Sequence, residues 1–320
     1  MPCLDEARHI DPLLGQLAAA RKRLGGRIVV ADGGSTDGTR AIVSRIAARE
    51  PGIVLLENPA RIQSAGINLA VGRFGAEATH LIRVDAHCAY PGDYCDILLA
   101  EAEATGAASV VVGMVAEGAG RLQRAIAAAQ NTSVGNGGSK HRRIGAGEWV
   151  DHGHHALIRL DAFADVGGYD PSFTHNEDAE LDHRLTMAGH RIWLTGRTHA
   201  VYFPRDAFPS LARQYFNYGA GRARNILKHR SWPKPRQAKV IAIAPVVAAA
   251  SLAPLHPLCA LPFLAWLTLC AASGLALAVR ARDIRLVVAA PAAMVMHLSW
   301  SVGFWSEVGA FRRPTAAGQA

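Results

Sequence analysis

The chain has 320 residues, half of them hydrophobic and 19% charged, which is enough for one large or two ordinary domains without disulfide staples and excludes a disordered chain. The net charge of +8 does not describe a nucleic-acid groove, because residues 1–227 balance 24 basic against 24 acidic side chains. The excess falls in 228–239 and 280–313, flanking the most apolar part of the chain, where it suits membrane topology and anionic lipid.

In chain order, Pro2-Cys3-Leu4-Asp5-Glu6 reads as a polar turn, so no signal peptide is expected. A strand should precede that turn. Its absence predicts either a true start upstream or a sheet with a compromised middle. Arg27–Ala31 is a β-rich run ended by Asp32-Gly33-Gly34-Ser35, and Thr36–Arg49 reads as an amphipathic helix. Ile53–Leu56 and His80–Val84 are further strands, Ile62–Gly72 and Tyr94–Thr105 helices, and Ser109–Val115 a buried strand. Alternation of this kind predicts a parallel-type sheet covered on both faces, with ligands at the carboxyl ends of its strands. The five cysteines form no CxxC pair and read as reduced thiols of a cytosol-facing protein.

From Val240 to Val279 there is no Asp, Glu, Lys or Arg. At ~1.5 Å per residue the stretch is about 60 Å of helix, twice a ~30 Å hydrocarbon core, so it predicts two spans joined at Pro254–Pro257. A third apolar segment, Leu286–Trp305, follows the basic loop 280–285. The positive-inside rule keeps 228–239 and 280–285 cytoplasmic but would export Arg312 and Arg313 if the third segment crossed. Spanning, re-entrant and interfacial readings of it stay open. The expected division is therefore a domain at 1–227, a basic linker at 228–239, a membrane region at 240–306 and a tail at 307–320.

Four clusters carry chemistry. Asp32, at a strand end before two glycines and a Ser/Thr/Asp cap, suits a nucleotide base or ribose, although an ordinary capped turn looks the same. Asp85 and His87, two apart on an extended chain, would offer an oxygen and a nitrogen ligand to one divalent ion bridging a diphosphate. Five carboxylates lie between 170 and 182, Glu177 and Asp178 among them. One could serve as a general base raised by burial and an acidic neighbour, or all could favour a helix N-terminus. His152, His154 and His155 lack HExxH spacing and read as lining an acceptor pocket or facing water. Gln214, Tyr218 and Arg222 share one helix face, fit for a diphosphate and a sugar.

In their order, MPCLDEARHI, VADGGSTDGT, NPARIQSAGINLAV, RVDAH, GNGGSKHRR, VGGYDPSF, HNEDAELDHRL, QYFNYGAGR and the apolar tract resemble the family 2 inverting glycosyltransferases, with the succinoglycan-biosynthesis glucosyltransferases among them. The resemblance implies a GT-A type mixed sheet sandwiched by helices, an α/β nucleotide-sugar-binding fold followed by C-terminal transmembrane helices. It implies that Pro2, Asp5, Glu6, Asp32, Arg61 and Asn68 border the nucleotide. Asp85 would lead the DxD motif with His87 in place of its second carboxylate, Asp178 would be the base with Glu177 beside it, and Arg222 would stand for the arginine of QxxRW. The activity implied is transfer of a hexose, glucose by the resemblance, from a UDP-sugar with Mg²⁺ or Mn²⁺ to a polyprenyl-diphosphate-linked saccharide. It would take place at the bacterial inner membrane, with the catalytic domain cytoplasmic and other exopolysaccharide assembly enzymes as partners. A polyprenyl-phosphate sugar synthase and a non-catalytic nucleotide-sugar-binding scaffold are the alternatives.

Overall fold

The computed structural model describes residues 1–138 and 145–311. Most of the GNGGSKHRR motif and residues 312–320, with Arg312 and Arg313, therefore lie outside the described residues. The chain divides into two compact units, residues 1–115 with 143–202 and residues 116–142 with 203–320.

In the first unit the opening residues do pair. β1 (Pro2–Cys3) runs parallel to β2 (Ile28–Asp32), which runs parallel to β3 (Ile53–Glu57). The absent strand is thus present in a two-residue form. Between them come α1 (Ile10–Leu24) and α2 (Thr39–Ala47), whose inward residues Ile10, Leu14 and Val43 pack on Val30 and Ile53. The α1 stripe recurs at helical spacing and its last turn carries Arg21, Lys22 and Arg23, which complements the helix dipole.

After α3 (Gln63–Phe74), β4 (His80–Ile82) ends two residues before the predicted strand does. Then follow β5 (Cys88–Ala89), α4 (Tyr94–Thr105) and β6 (Ser109–Ala116). The last is an apolar run buried on both faces. α5 (Arg121–Gln130) and α6 (Ser133–Asn136) belong to the other unit. The chain returns through β7 (Glu148–Val150), β8 (His154–Arg159), α7 (Leu160–Asp165), α8 (Glu177–Met187) and β9 (Ile192–Tyr202).

The second sheet has the order β4-β8-β6-β9-β5, with β7 on β9. β8 is antiparallel to both β4 and β6, and β9 to β5 and β7. The alternation predicts one parallel-type sheet, whereas the strands divide between a parallel β1–β3 sheet and a second sheet whose β4–β8, β6–β8, β5–β9 and β7–β9 pairs are antiparallel. Among the described residues the two sheets share no ladder. An apolar cavity of about 630 Å³, lined by Met1, Ile28, Val29, Phe74, Leu81 and Ile82 among others, separates β2 from β4.

The second unit is helical. α9 (Phe208–His229), α10 (Pro235–Ile241), α11 (Ile243–Ala250), α12 (Leu261–Ala281) and α13 (Ala289–Phe311) join α5 and α6 around Ile126, Leu211, Ala292 and Met296. The 227/228 boundary is displaced, because α9 packs with the apolar helices and 228–239 is the end of α9 and most of α10. Of the two spans expected in 240–279, the first is only the eight-residue α11, about 12 Å long and separated from α10 at Ala242. Among the described residues, two helical stretches are long and apolar enough to cross a membrane, Pro257–Ala281 and Ile284–Phe311.

Candidate active site

The site is organised by a residue the sequence reading passed over. Arg83 follows β4 and is 5% exposed. A buried guanidinium must be paired and hydrogen-bonded, and this one is. Its Nε lies 3.3 Å from Asp85 Oδ1 and its Nη1 donates to Asp178 Oδ1 and, at 3.2 Å, to the Tyr169 hydroxyl. Nη2 lies 3.8 Å from Glu177 Oε1. The Gln63 amide, with its oxygen turned inward, accepts from Nε at 3.1 Å. Asp85 and Asp178, 93 positions apart in the sequence, thus meet on one cation.

His154 stands between them, Nε2 3.6 Å from Asp85 Oδ2 and Nδ1 3.8 Å from Asp178 Oδ2. Burial drives its pKa down to about 4 against the pull of Asp85, so the ring is neutral at neutral pH. Burial raises the Asp85 and Asp178 carboxyls, but Arg83 more than offsets this and both end below the usual range. Glu177 goes the other way. Burial, then the Asp178 charge, pushes it up to about 7.

A second chain of hydrogen bonds fixes Asp178 from behind. Asp182, fully buried, takes His155 Nε2 at 2.6 Å, His152 Nδ1 at 2.7 Å and the Gly153 amide at 3.2 Å. His155 Nδ1 meets the Tyr169 hydroxyl at 2.8 Å, and that hydroxyl donates to Asp178 Oδ1 at 3.1 Å. Burial lowers the His155 pKa, yet Asp182 and Asp178 leave it raised overall. The same two histidines stabilise the Asp182 anion against burial, at about 2. Of the HGHH run, His155 therefore does not face water, being fully buried, whereas His154 lies beside the Asp85 and Asp178 carboxylates. β8 alternates its side chains, sending His155 into the core and His154 toward the two carboxylates.

The nucleotide residues are mostly occupied. Asp32 is fully buried, its carboxylate accepting the Gly34 and Ser35 amides at 3.0 and 3.1 Å and the Ser35 hydroxyl, so here it shapes the turn and does not open onto solvent. Asp5 accepts the Thr36 amide at 2.8 Å. Arg61 donates to the Gly33 carbonyl at 2.8 Å and lies over that turn. Asn68 is not a wall residue. Its amide donates to the Tyr169 carbonyl at 2.7 Å and accepts the Tyr169 N–H at 2.9 Å, clamping the backbone that carries the Tyr169 hydroxyl. Pro2 sits in β1. Glu6 binds His87 Nδ1 at 2.9 Å and His9 Nδ1 at 3.1 Å.

This pairing corrects the expected Asp85–His87 ligand pair. β4 ends at Ile82, so residues 85–87 turn and do not run extended, and the i, i+2 argument for a shared side fails. His87 is near enough for its charge to lower the Asp85 pKa, but its ring bonds Glu6. Among the described residues no group of three His, Cys, Asp or Glu is arranged to hold an ion. The donor chemistry still fits Mg²⁺ or Mn²⁺. Asp85 and His154 supply one carboxylate and one imidazole, a small protein share of the kind such ions take when substrate phosphates and water complete the shell. Gln214, Tyr218 and Arg222 lie on α9 of the helical unit, where the Gln214 amide donates to the Tyr218 hydroxyl at 3.0 Å.

Three parallel strands with an Asp-capped turn after the middle one, beside a second sheet that ends in a carboxylate cluster, are the frame of a nucleotide-sugar transferase. Residues 1–167 match the family model "Glycosyl transferase family 2", and the chain belongs to that family; it is a glycosyltransferase of GT-A-like fold. It is 52% identical, over 99% of its length and 96% of the relative's, to "Succinoglycan biosynthesis protein ExoA" of Rhizobium meliloti (strain 1021). Among solved structures it is similar to "Mannosyltransferase PcManGT from Pyrobaculum calidifontis in complex with GDP-Man and Mn2+", with a TM-score of 0.59 and 17% identity over 98% of this chain and 86% of that one. It is also similar to the S. aureus TarS 1–349 complex with UDP-GlcNAc, with a TM-score of 0.50 and 14% identity over 96% and 90% of the two chains. At those identities the likeness speaks for the fold.

Proposed function

We propose that the protein transfers a hexose from a UDP-sugar, with inversion, to a polyprenyl-diphosphate-linked saccharide in exopolysaccharide synthesis at the bacterial inner membrane. The observation that carries this reading is the convergence of Asp85, Glu177 and Asp178 on Arg83. The extensive identity to the succinoglycan-biosynthesis relative supports the pathway class, glucose as donor follows from the resemblance of the sequence motifs, and the two long apolar helices support a lipid-borne acceptor.

Arg83 and the Tyr169 hydroxyl both hold Asp178 Oδ1, which keeps the carboxylate ionised and leaves Oδ2 directed at the acceptor hydroxyl as its proton acceptor. Glu177, with a proton affinity near neutrality, lies next to receive that proton. The acceptor oxygen then attacks the anomeric carbon from the face opposite the diphosphate. Asp5, Arg61 and the Asp32 turn border the nucleotide, and Asp85 with His154 would hold a divalent cation. When bound, such an ion neutralises the charge that develops on the departing diphosphate. On this reading Gln214, Tyr218 and Arg222 bind diphosphate or acceptor.

A panel of radiolabelled UDP-sugars with membrane fractions tests the reading. Label should enter an organic-extractable glycolipid with UDP-glucose, and the product should carry a saccharide longer than one sugar. A monosaccharide on the carrier phosphate would instead identify a polyprenyl-phosphate sugar synthase. UDP release with no glycolipid under any donor would overturn the transferase assignment to lipid.

A further inference from the structure

The two long apolar helices differ in what surrounds them. In its most apolar window α12 with its preceding turn is 11% buried, and α13 with its preceding turn 44%. Leu261, Leu264, Leu269, Leu275 and Val279 of α12 are all more than half exposed, a bare stripe along its whole length.

α13 is instead sheathed on two sides. Against α12, a Cβ on Gly274 would meet Ala290, and the Trp266 indole donates to His297 Nδ1 at 3.2 Å. On another side lies α9. Leu211 and Tyr215 pack with Ala292 and Met296, Gly219 abuts the Trp300 carbonyl, and Arg224 Nε reaches Glu307 Oε1 at 2.9 Å. The two helices therefore run side by side from residue 292 to residue 307, about 24 Å of α13. α9 carries Arg213, Arg222, Arg224 and Lys228, of which Arg213, Arg224 and Lys228 are exposed. If α13 crossed the hydrocarbon, this cationic helix would be carried through it alongside, and exposed Arg and Lys at that depth are costly.

We propose that the helical unit is monotopic, with α9, α13 and α12 lying along the membrane plane. In this arrangement α12 and the turn before it, with Leu252, Leu255 and Leu258 exposed, enter the acyl chains of one leaflet while α9 stays in water. Anionic headgroups are the complementary partner. Arg280 in the last turn of α12 and Arg282 and Arg285 just past it are exposed, and Lys234 and Lys239 are exposed near Trp232, itself 91% exposed. An exposed indole next to lysines is the signature of a helix lying in the interface. This assignment answers the open reading of the third apolar segment and does not depend on the donor or acceptor.

The test places a protease site with long Gly/Ser flanks at one of three positions in the full chain: ahead of Met1, between Arg282 and Asp283 in the connection from α12 to α13, or after residue 320. The protease is then applied to right-side-out and inside-out membrane vesicles, with detergent as the positive control and retained transferase activity as the check on folding. The monotopic arrangement expects all three sites to be cut from the same side. Cutting of the 282/283 site only from the opposite side overturns it, because that requires α12 to cross, alone or as a hairpin with α13, and cutting of the C-terminal site only from the opposite side overturns it, because that requires one of the two to cross without the other.

Discussion

Arg83→Met would strand Asp85 and Asp178 without their shared counter-ion in a water-poor site. Breaking a buried pair by removing one partner typically costs about 3–5 kcal/mol, so chemical denaturation should show a loss of that order together with loss of transfer. Arg83→Lys should recover part of the stability and little of the rate, because an ammonium cannot reproduce a fork that reaches five side chains.

The Glu177–Asp178 pair predicts a pH profile. With Glu177 raised to about 7, kcat/KM should fall as pH drops through neutrality, when the carboxylate that must take the proton is already protonated. Glu177→Gln should move or remove that inflection, whereas Asp178→Asn should abolish transfer and leave UDP affinity nearly unchanged in calorimetry. An unaltered inflection in Glu177→Gln would assign the titration to another group. Asp182 titrates in the opposite sense. Its carboxyl is lowered from 3.8 to about 2, so its contribution to stability is complete above its unfolded value and disappears as pH falls through about 2.

The carboxylates were legible because acids at strand and helix ends stand out from apolar surroundings. Arg83, Tyr169 and His155 were not, because pairing across ninety residues leaves no trace in local spacing. The one available signal was the charge inside Leu81-Ile82-Arg83-Val84, since a buried arginine in a strand demands an acid.

At the scale of elements, α4 coincides with its sequence prediction because its period is clear and Gly106 ends it. β7, β8 and β9 went unread, because polar HGHH and Thr-Gly-Arg-Thr interrupt the alternation that marks a strand. The loop before α8 is tied to α3 by the Asn68 amide and by the Ser64 hydroxyl, which donates to the Phe173 carbonyl at 3.2 Å. Gly168 has φ +71°, and a Cβ there would come within 2.8 Å of Asn68 Oδ1. Asn68→Ala leaves both backbone groups of Tyr169 without these partners and should cost about 1–3 kcal/mol in melting experiments. It should also lower kcat more than it raises KM for donor. Between α9 and α13 the backbones touch. A Cβ on Gly219 would fall 1.9 Å from the Trp300 carbonyl, so Gly219→Val should separate the helices and lower the Tm of detergent-solubilised protein. Nothing in the sequence distinguished that glycine from a loop residue, since its partner lies some eighty positions away.

For the molecule as a whole, alternation and apolar length indicated a helix-covered sheet and a membrane-facing tract, but not the way the chain is shared between units. The excursion through α5 and α6 is amphipathic and helical like any surface helix, and only tertiary packing assigns it. The divided sheet has a further consequence. Asp5, Asp32 and Arg61 belong to the β1–β3 side, while Asp85, His154 and Asp178 belong to the β4–β8 side, so a sugar nucleotide that touches both groups would act as a clasp across the gap. Saturating donor should therefore slow amide exchange along the facing edges of β2 and β4 more than at β3 or β7. A donor present at one hundred times its Kd would add about 2.7 kcal/mol to the apparent stability. The empty enzyme is then the looser partner, and its substrate supplies rigidity that the backbone leaves out.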